Sequence, residues 1–523
     1  MLRRPLLLFV FLLLGLPALA ADPAAQWWAD VSTLAHDDMK GRLTGTPDYL
    51  RAADYVIGRL KSEGIRPAGT EGYLQPVTFE QQVVDHAASR AELVDAKGAV
   101  TPLKVGDDLL ISAGSGPRPP QFDAPLVFIG YGLHLPKHGH DDFAGLDLKG
   151  KIAVMISGGP ADIAGAVKSN ARFERLELLS KLGVVGVIGL TTPGQVEILW
   201  ERQKLLVRQP GMYLADAALR DVKAPVFAAA LDPAKAELLF QGSGHSFAGL
   251  SALADSSKPV PRFALPLRLR ASIAATRSQL SSPNVIGVLE GSDPKRKSEY
   301  VTVSAHLDHL GVAAPINGDA IYNGAMDNAT GVASVLDMAR RLKAGPPPKR
   351  SILFLFFTAE EKGLLGSSYF ARRPTVPKAG IVANLNLDMA LPLWPLTSVF
   401  SPGQDESSLG DDLRAAAAPM GIAVTADPMP DRNSFTRADQ YSFVREGVPA
   451  LFPKFGFAKG TPQFEMEREW RSTRYHSPSD DLSQPILKDE AMKLNALAAA
   501  VLRRVADADA RPRWVAGSIF TKD

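Results

Sequence analysis

The 523-residue chain contains no cysteine. That excludes disulfides, a lipid-modified N-terminal cysteine, a thiolate metal site and a cysteine nucleophile. Any metal must be held by histidine and carboxylates. Charge of one sign is also lacking: the formal net charge is +2, and Arg3 and Arg4 lie in the leader described next. Nothing here favours nucleic acid or an anionic membrane as a partner. Beyond the leader no apolar run is long enough to span a membrane. No internal repeat and no low-complexity linker interrupt the chain. Histidine is scarce, with nine in all; three follow residue 283, His306 and His476 among them.

Hydrophobic residues make up 46% and charged residues 22%, the balance of a globular protein. The length suits two folded units, because single cores rarely grow past about 250–300 residues. The N-terminus begins with Arg3-Arg4, continues apolar from Leu6 to Leu16, and reaches a small-x-small site at Ala18-Leu19-Ala20. This pattern predicts a signal peptide over 1–20 and an exported protein, periplasmic or secreted, with no membrane attachment after cleavage.

From Trp27 to Gly69 the pattern is helical, with Leu50, Ala53, Val56 and Leu60 on one face. From about 118 to 265 short apolar runs alternate with Gly and Pro turns, which predicts a β-rich insertion. One helix-like stretch, Arg172 to Leu182, lies within it. After Pro283 strand candidates (NVIGVLEG, YVTVSAHLDH, SILFLFFTAEE, GIVANLNLDM) alternate with helices. Val332, Val335, Leu336, Ala339 and Leu342 mark one helix. This alternation predicts an α/β domain with a mostly parallel central sheet flanked by helices. The expected division is 21–117 and 266–510 for the α/β domain, 118–265 for the insertion, and 511–523 for a C-terminal tail.

In such sheets, sites form beyond the carboxyl ends of the strands. Polar residues stand at those ends: His306 and Asp308, Glu360-Glu361, and Asp388. Asp327 opens the helix that starts near Ala329, where a helix N-terminus would favour its ionised form. His476 follows in a loop, Tyr475-His476-Ser477. Each alone has an ordinary explanation as a cap, a turn or a surface residue. Together His306, Asp327, Glu361, Asp388 and His476 offer five N/O ligands, a donor set that suits zinc, with manganese or cobalt as alternatives. A competing cluster, His134, His138 and His140 beside Asp141-Asp142, reads as a solvated loop in Gly/Pro-rich surroundings.

The segments AHLDHLG, YNGAMDNATGVA, FTAEEKGLLGS, NLNLDM and YHSPSDD resemble the M28 peptidases, zinc aminopeptidases of the aminopeptidase Y type. The resemblance covers roughly 27–115, including DMKGRLTGTP, and 280–505. The insertion resembles a protease-associated (PA) domain through GYGLHLPKHGHDDFAGLDLKGKIAVM and LLSKLGVVGVIGL. The resemblance implies a zinc-exopeptidase fold and two Zn2+ per chain, bridged by Asp327. His306 and Asp388 would complete one site, and Glu361 and His476 the other. Glu360 would be the general base. Asp308 would accept a hydrogen bond from the His306 ring. A cis peptide would follow Asp327. The tyrosine that relatives use at the oxyanion has no counterpart in Leu451-Phe452-Pro453-Lys454-Phe455. The implied activity is hydrolysis of N-terminal residues from peptides, with the PA-like insertion capping the site and favouring short peptides, or serving as a passive lid or a partner-docking module. A glutaminyl cyclase of the same fold would use one zinc. A carboxypeptidase would need a basic clamp, for which Arg432, Arg437 and Lys454 are the candidates. A catalytically dead binding protein would have lost ligands, and none is missing.

Overall fold

The computed structural model describes residues 22–112, 120–222 and 226–521. The signal-peptide segment, 1–20, lies outside the described residues. No helix among the described residues is long and apolar enough to cross a membrane.

The sheet of the α/β half runs in the order Ala450–Leu451, Ile381–Asn386, Tyr300–His306, Ser351–Phe357, Phe263–Leu289. The first four strands pair in parallel and the last joins antiparallel. Every residue of Ser351–Phe357 is buried. Ile352, Phe354 and Phe356 enter one core with Trp27, Val56, Val335 and Leu497, while Leu353, Leu355 and Phe357 enter another with Phe370 and Phe443. This alternation is the period of two of a strand covered on both faces. The expected α/β architecture is therefore present, and it brings the carboxyl ends of three parallel strands to one edge.

The N-terminal region forms two helices, Pro23–Leu34 and Pro47–Ser62. Ala53, Val56 and Leu60 face the core as expected, but Leu50 is exposed and Tyr49 takes the buried position. Leu50 sits at the edge of the apolar stripe, where a one-residue rotation points it to water. The expected helix over 172–182 runs from Gly165 to Lys181.

Two long strands, Leu74–Asp95 and Phe263–Leu289, pair antiparallel and carry the sheet from one half into the other. Beyond them the strands Gln121–Phe128, Ile152–Ile156, Gly186–Leu190 and Phe227–Leu231 pair in parallel around a second core. That core includes Val84, Leu93, Leu109, Leu269 and Ile273. Residues from 84–111 and 267–273, on either side of the expected 118–265 insertion, thus pack into this second core. A strand that serves both cores shows no change of texture where it crosses from one to the other. The tail after 510 packs as well: Trp514 and Phe520 join Phe435 and Tyr441.

Candidate metal centre

His306 is the last residue of its strand and is buried. Its Nδ1 donates to the main-chain carbonyl of Asp308 at 3.0 Å, which leaves Nε2 to face carboxylates. Nε2 lies 3.1 Å from Asp327 and 3.5 Å from Asp388. The expectation for Asp308 is thus corrected. The ring is oriented by its carbonyl, and its carboxylate points away, accepting from Glu360 N and Thr44 Oγ1, each at 3.0 Å. The chain turns at the strand end, so the carbonyl two residues on meets the ring and the side chain reaches the next strand. Asp308 positions the Glu360 backbone.

Asp327 lies between the strand edge and the helix Thr330–Ala344, and the peptide Asp327–Asn328 is cis. The two oxygens of Asp327 face different imidazoles: Oδ1 faces His306, and Oδ2 lies 3.3 Å from His476. His476 also lies 3.1 Å from Glu361. Burial favours the neutral form of Asp327, but hydrogen bonds from His306 and His476 hold it well below the usual carboxylate range. The anion that collects backbone N–H groups at this turn is Asp480, which accepts from Met326 N at 2.8 Å and Asp327 N at 2.9 Å. The expected dipole support for Asp327 is therefore replaced by direct imidazole contacts. Asn328 closes the turn, accepting from Gly331 N and donating to Leu387 O.

His309 is the residue that sequence reasoning missed. Its Nδ1 lies 2.7 Å from Glu361, on the oxygen His476 does not face. Its only sequence signal is its place in His306-Leu307-Asp308-His309. Gly324 makes the approach possible at φ +63°: a Cβ there would lie 2.2 Å from the Asp327 carbonyl oxygen and 2.6 Å from the His309 ring. Ala359, next to Glu360, and His476 itself also hold positive φ, at +54° and +53°. Such strain in non-glycine residues clusters at functional sites.

Two groups of ligand atoms result, His306–Asp327–Asp388 and His309–Asp327–Glu361, each with its atoms within 4.8 Å of one another. Asp388 Oδ1 and His309 Nε2 are buried and make no hydrogen bond. Burial pulls the His476 imidazole down, yet Glu361 and Asp327 raise it to about 9. Burial pushes the Glu360 carboxyl well above its usual range; Glu361 and Asp388 push the same way, against the pull of His306. So concentrated a set of carboxylates pulls protons onto its imidazoles, and a divalent cation in their midst would take the place of those protons. The donor set fits zinc. By contrast, His134 and His140 of the competing cluster each pair with a different aspartate, Asp141 and Asp142, in a small, partly buried hairpin beside His138.

The cleft above these groups holds about 320 Å³. Asp327, Glu360, Glu361, Asp388 and His476 line it, together with Phe173 of the insertion, Met389, Phe452, Arg437, Lys454 and Tyr475. Tyr475 is the tyrosine the site holds; its hydroxyl accepts from Arg437 at 3.3 Å. Beneath the site Arg42, from the segment DMKGRLTGTP, donates to the carbonyls of Leu34, Leu307, Asn323 and Gly324. Burial lowers it to about 10, against the pull of Asp480 and Asp308, so it stays a cation at neutral pH.

Known proteins share parts of this sequence and its fold. Residues 284–502 match the sequence profile of peptidase family M28. Aminopeptidase YwaD of Bacillus subtilis is 28% identical over 242 residues, 45% of this chain and 47% of that protein. Leupeptin-inactivating enzyme 1 of Streptomyces exfoliatus is 28% identical over 236 residues, 43% of this chain and 48% of that one. The chain thus spans about half the length of the curated relatives it matches. The solved aminopeptidase from Aneurinibacillus sp. strain AM-1 has a similar fold, with a TM-score of 0.55 at 20% identity over 96% of both chains. Residues 284–502, the larger part of the α/β half, are thus similar to peptidase family M28.

Proposed function

We propose that this chain is an exported aminopeptidase that binds two zinc ions and hydrolyses N-terminal residues from peptides. The observation that carries the reading is Asp327, which presents one carboxylate oxygen to each of two buried ligand groups. His306 and Asp388 would hold one ion. Glu361 and His476 would hold the other, with His309 on the far oxygen of Glu361. When bound, the metals would lower the pKa of a water and polarise the scissile carbonyl. Glu360 would take the proton of the attacking water and return it to the leaving amine. Its raised affinity for protons suits that exchange. The four carboxylates Asp327, Glu360, Glu361 and Asp388 line the cleft and favour the α-ammonium of a peptide over its carboxylate. The insertion, which resembles a PA domain, contributes Phe173 to the wall and would narrow access to short peptides.

A carboxypeptidase reading needs a free basic clamp, and each candidate is engaged. Lys454 donates to the carbonyls of Asp388 and Met389. Arg432 and Arg437 pair with Glu197. Aminoacyl amides, N-acetylated peptides and C-amidated peptides, each with and without chelator, test the proposal. Acetylation should remove most of the rate and amidation little of it. Chelation should abolish turnover, and zinc should restore it near two ions per chain. Cleavage of acetylated peptides with amidated ones inert would refute it, and a stoichiometry fixed at one would move the chain toward a cyclase.

A further inference from the structure

Three guanidiniums cluster at one wall of the cleft: Arg437 and Arg471 line it, and Arg432 stands behind them, sharing a carboxylate with each. Arg471 and Arg432 share Glu467. The remaining anion, Glu197, comes from the inserted segment. Its Oε1 lies 3.1 Å from Arg432 and its Oε2 2.8 Å from Arg437. Burial alone would raise Glu197, but Arg437, Arg471 and Arg432 overcome it and hold the carboxyl down at about 2. Five residues onward the same segment places Arg202, which donates to the Tyr475 carbonyl at 3.0 Å, beside His476.

Without Glu197 the wall would carry three cations against one anion. Arg437 would keep only the Tyr475 hydroxyl and the Arg432 carbonyl, each at 3.3 Å. Its side chain is 40% exposed and lines the cleft, so its guanidinium would be open to a substrate carboxylate. We propose that Glu197 is a specificity-determining residue: by occupying Arg432 and Arg437 from the insertion side, it denies the cleft a carboxylate-binding site. Selection is thereby left to the substrate's α-ammonium, and this inference rests on the aminopeptidase reading.

The test uses the zinc-loaded full chain and two substrates with the same N-terminal residue, a dipeptide with a free carboxylate and its amide. Glu197→Gln keeps the shape and removes the charge. The kcat/KM ratio of acid to amide should rise about tenfold, the scale of one partly exposed charge-assisted hydrogen bond, and through KM. Adding Arg437→Met to that variant should return the ratio to the wild-type value. A ratio within about twofold of wild type, or an equal fall for both substrates, overturns the proposal. Should Glu197→Gln fail to show a cooperative melt, Arg437→Met alone decides. An unchanged ratio is expected, because that guanidinium is already occupied; a falling ratio means wild-type Arg437 binds carboxylates, and the proposal fails. The N-acetylated dipeptide, run on wild type, separates the two readings. Preference for it sinks the aminopeptidase reading whatever the Glu197 ratio does.

Discussion

Arg42→Met tests how the site is held together. Arg42 is 1% exposed and donates to four carbonyls. Leu307 follows His306; Asn323 and Gly324 lead into the turn of Asp327; Leu34 ends the first helix. One guanidinium therefore ties both sides of the proposed metal bridge to the N-terminal region. Methionine fills similar volume but leaves the buried carbonyls of Leu34, Leu307 and Asn323 without this donor, at about 1 kcal/mol or more each, while Gly324 O keeps Ala329 N at 3.1 Å. Relief of guanidinium burial offsets part of this, while Asp480, Asp308, Asp327 and Glu361 lose a nearby cation. The net cost is about 3–5 kcal/mol, the range for breaking a buried charged network. Arg42→Lys should cost less, because one ammonium can reach at most three of the carbonyls. Amide hydrogen exchange reads the effect locally. Protection at Leu307 and through Ala325–Ala329 should fall about a hundredfold or more, and metal should be lost at lower chelator concentration. Exchange within about threefold of wild type, with metal retention unchanged, would mean water satisfies those carbonyls and would refute the reasoning.

Glu360→Gln should keep both metals and lose about 10²–10⁴-fold in turnover; loss of metal instead would exchange the roles of Glu360 and Glu361. His309→Gln should weaken one of the two zinc sites by about 10–100-fold while the other stays tight, as read by competition with a fluorescent chelator. N-terminal sequencing of protein from the cell envelope or medium should begin near Ala21; an intact Met1 in a membrane fraction would oppose the signal-peptide expectation.

The proposed ligands were legible because of where parallel strands end. Tyr300–His306, Ser351–Phe357 and Ile381–Asn386 share an edge, so His306, Glu361 and Asp388 had to approach one another once the strands were recognised. Apolar strand residues followed abruptly by a charge are a signal that survives without coordinates. His309 and Asp480 carry no such signal. His309 reaches Glu361 only because Gly324 lets the Asp327 turn close against its ring. Asp480 works by accepting main-chain N–H groups 153 and 154 residues away, which any residue but proline could have offered. Asp308 was misread for a related reason. Its spacing from His306 fits either a carboxylate or a carbonyl contact, and the direction of the turn decides.

The cationic residues near the cleft make the converse point. Arg432, Arg437 and Lys454 looked like a carboxylate clamp because residue types can be read from sequence and partners cannot. Glu197 lies 240 residues from Arg437, in the inserted segment. Lys454 spends its donors on carbonyls at the base of the Asp388 loop and sits 4.2 Å from the Phe452 ring. A charge beside an active site indicates a ligand only after its protein partners have been counted, since an ammonium or guanidinium already hydrogen-bonded must lose that partner before it gains another. By that count the cleft offers a substrate carboxylate no free cation among these three: Arg432, Arg437 and Lys454 are each engaged. On the proposed reading, direction of attack would be set as much by the insertion, through Glu197, as by the ligands themselves.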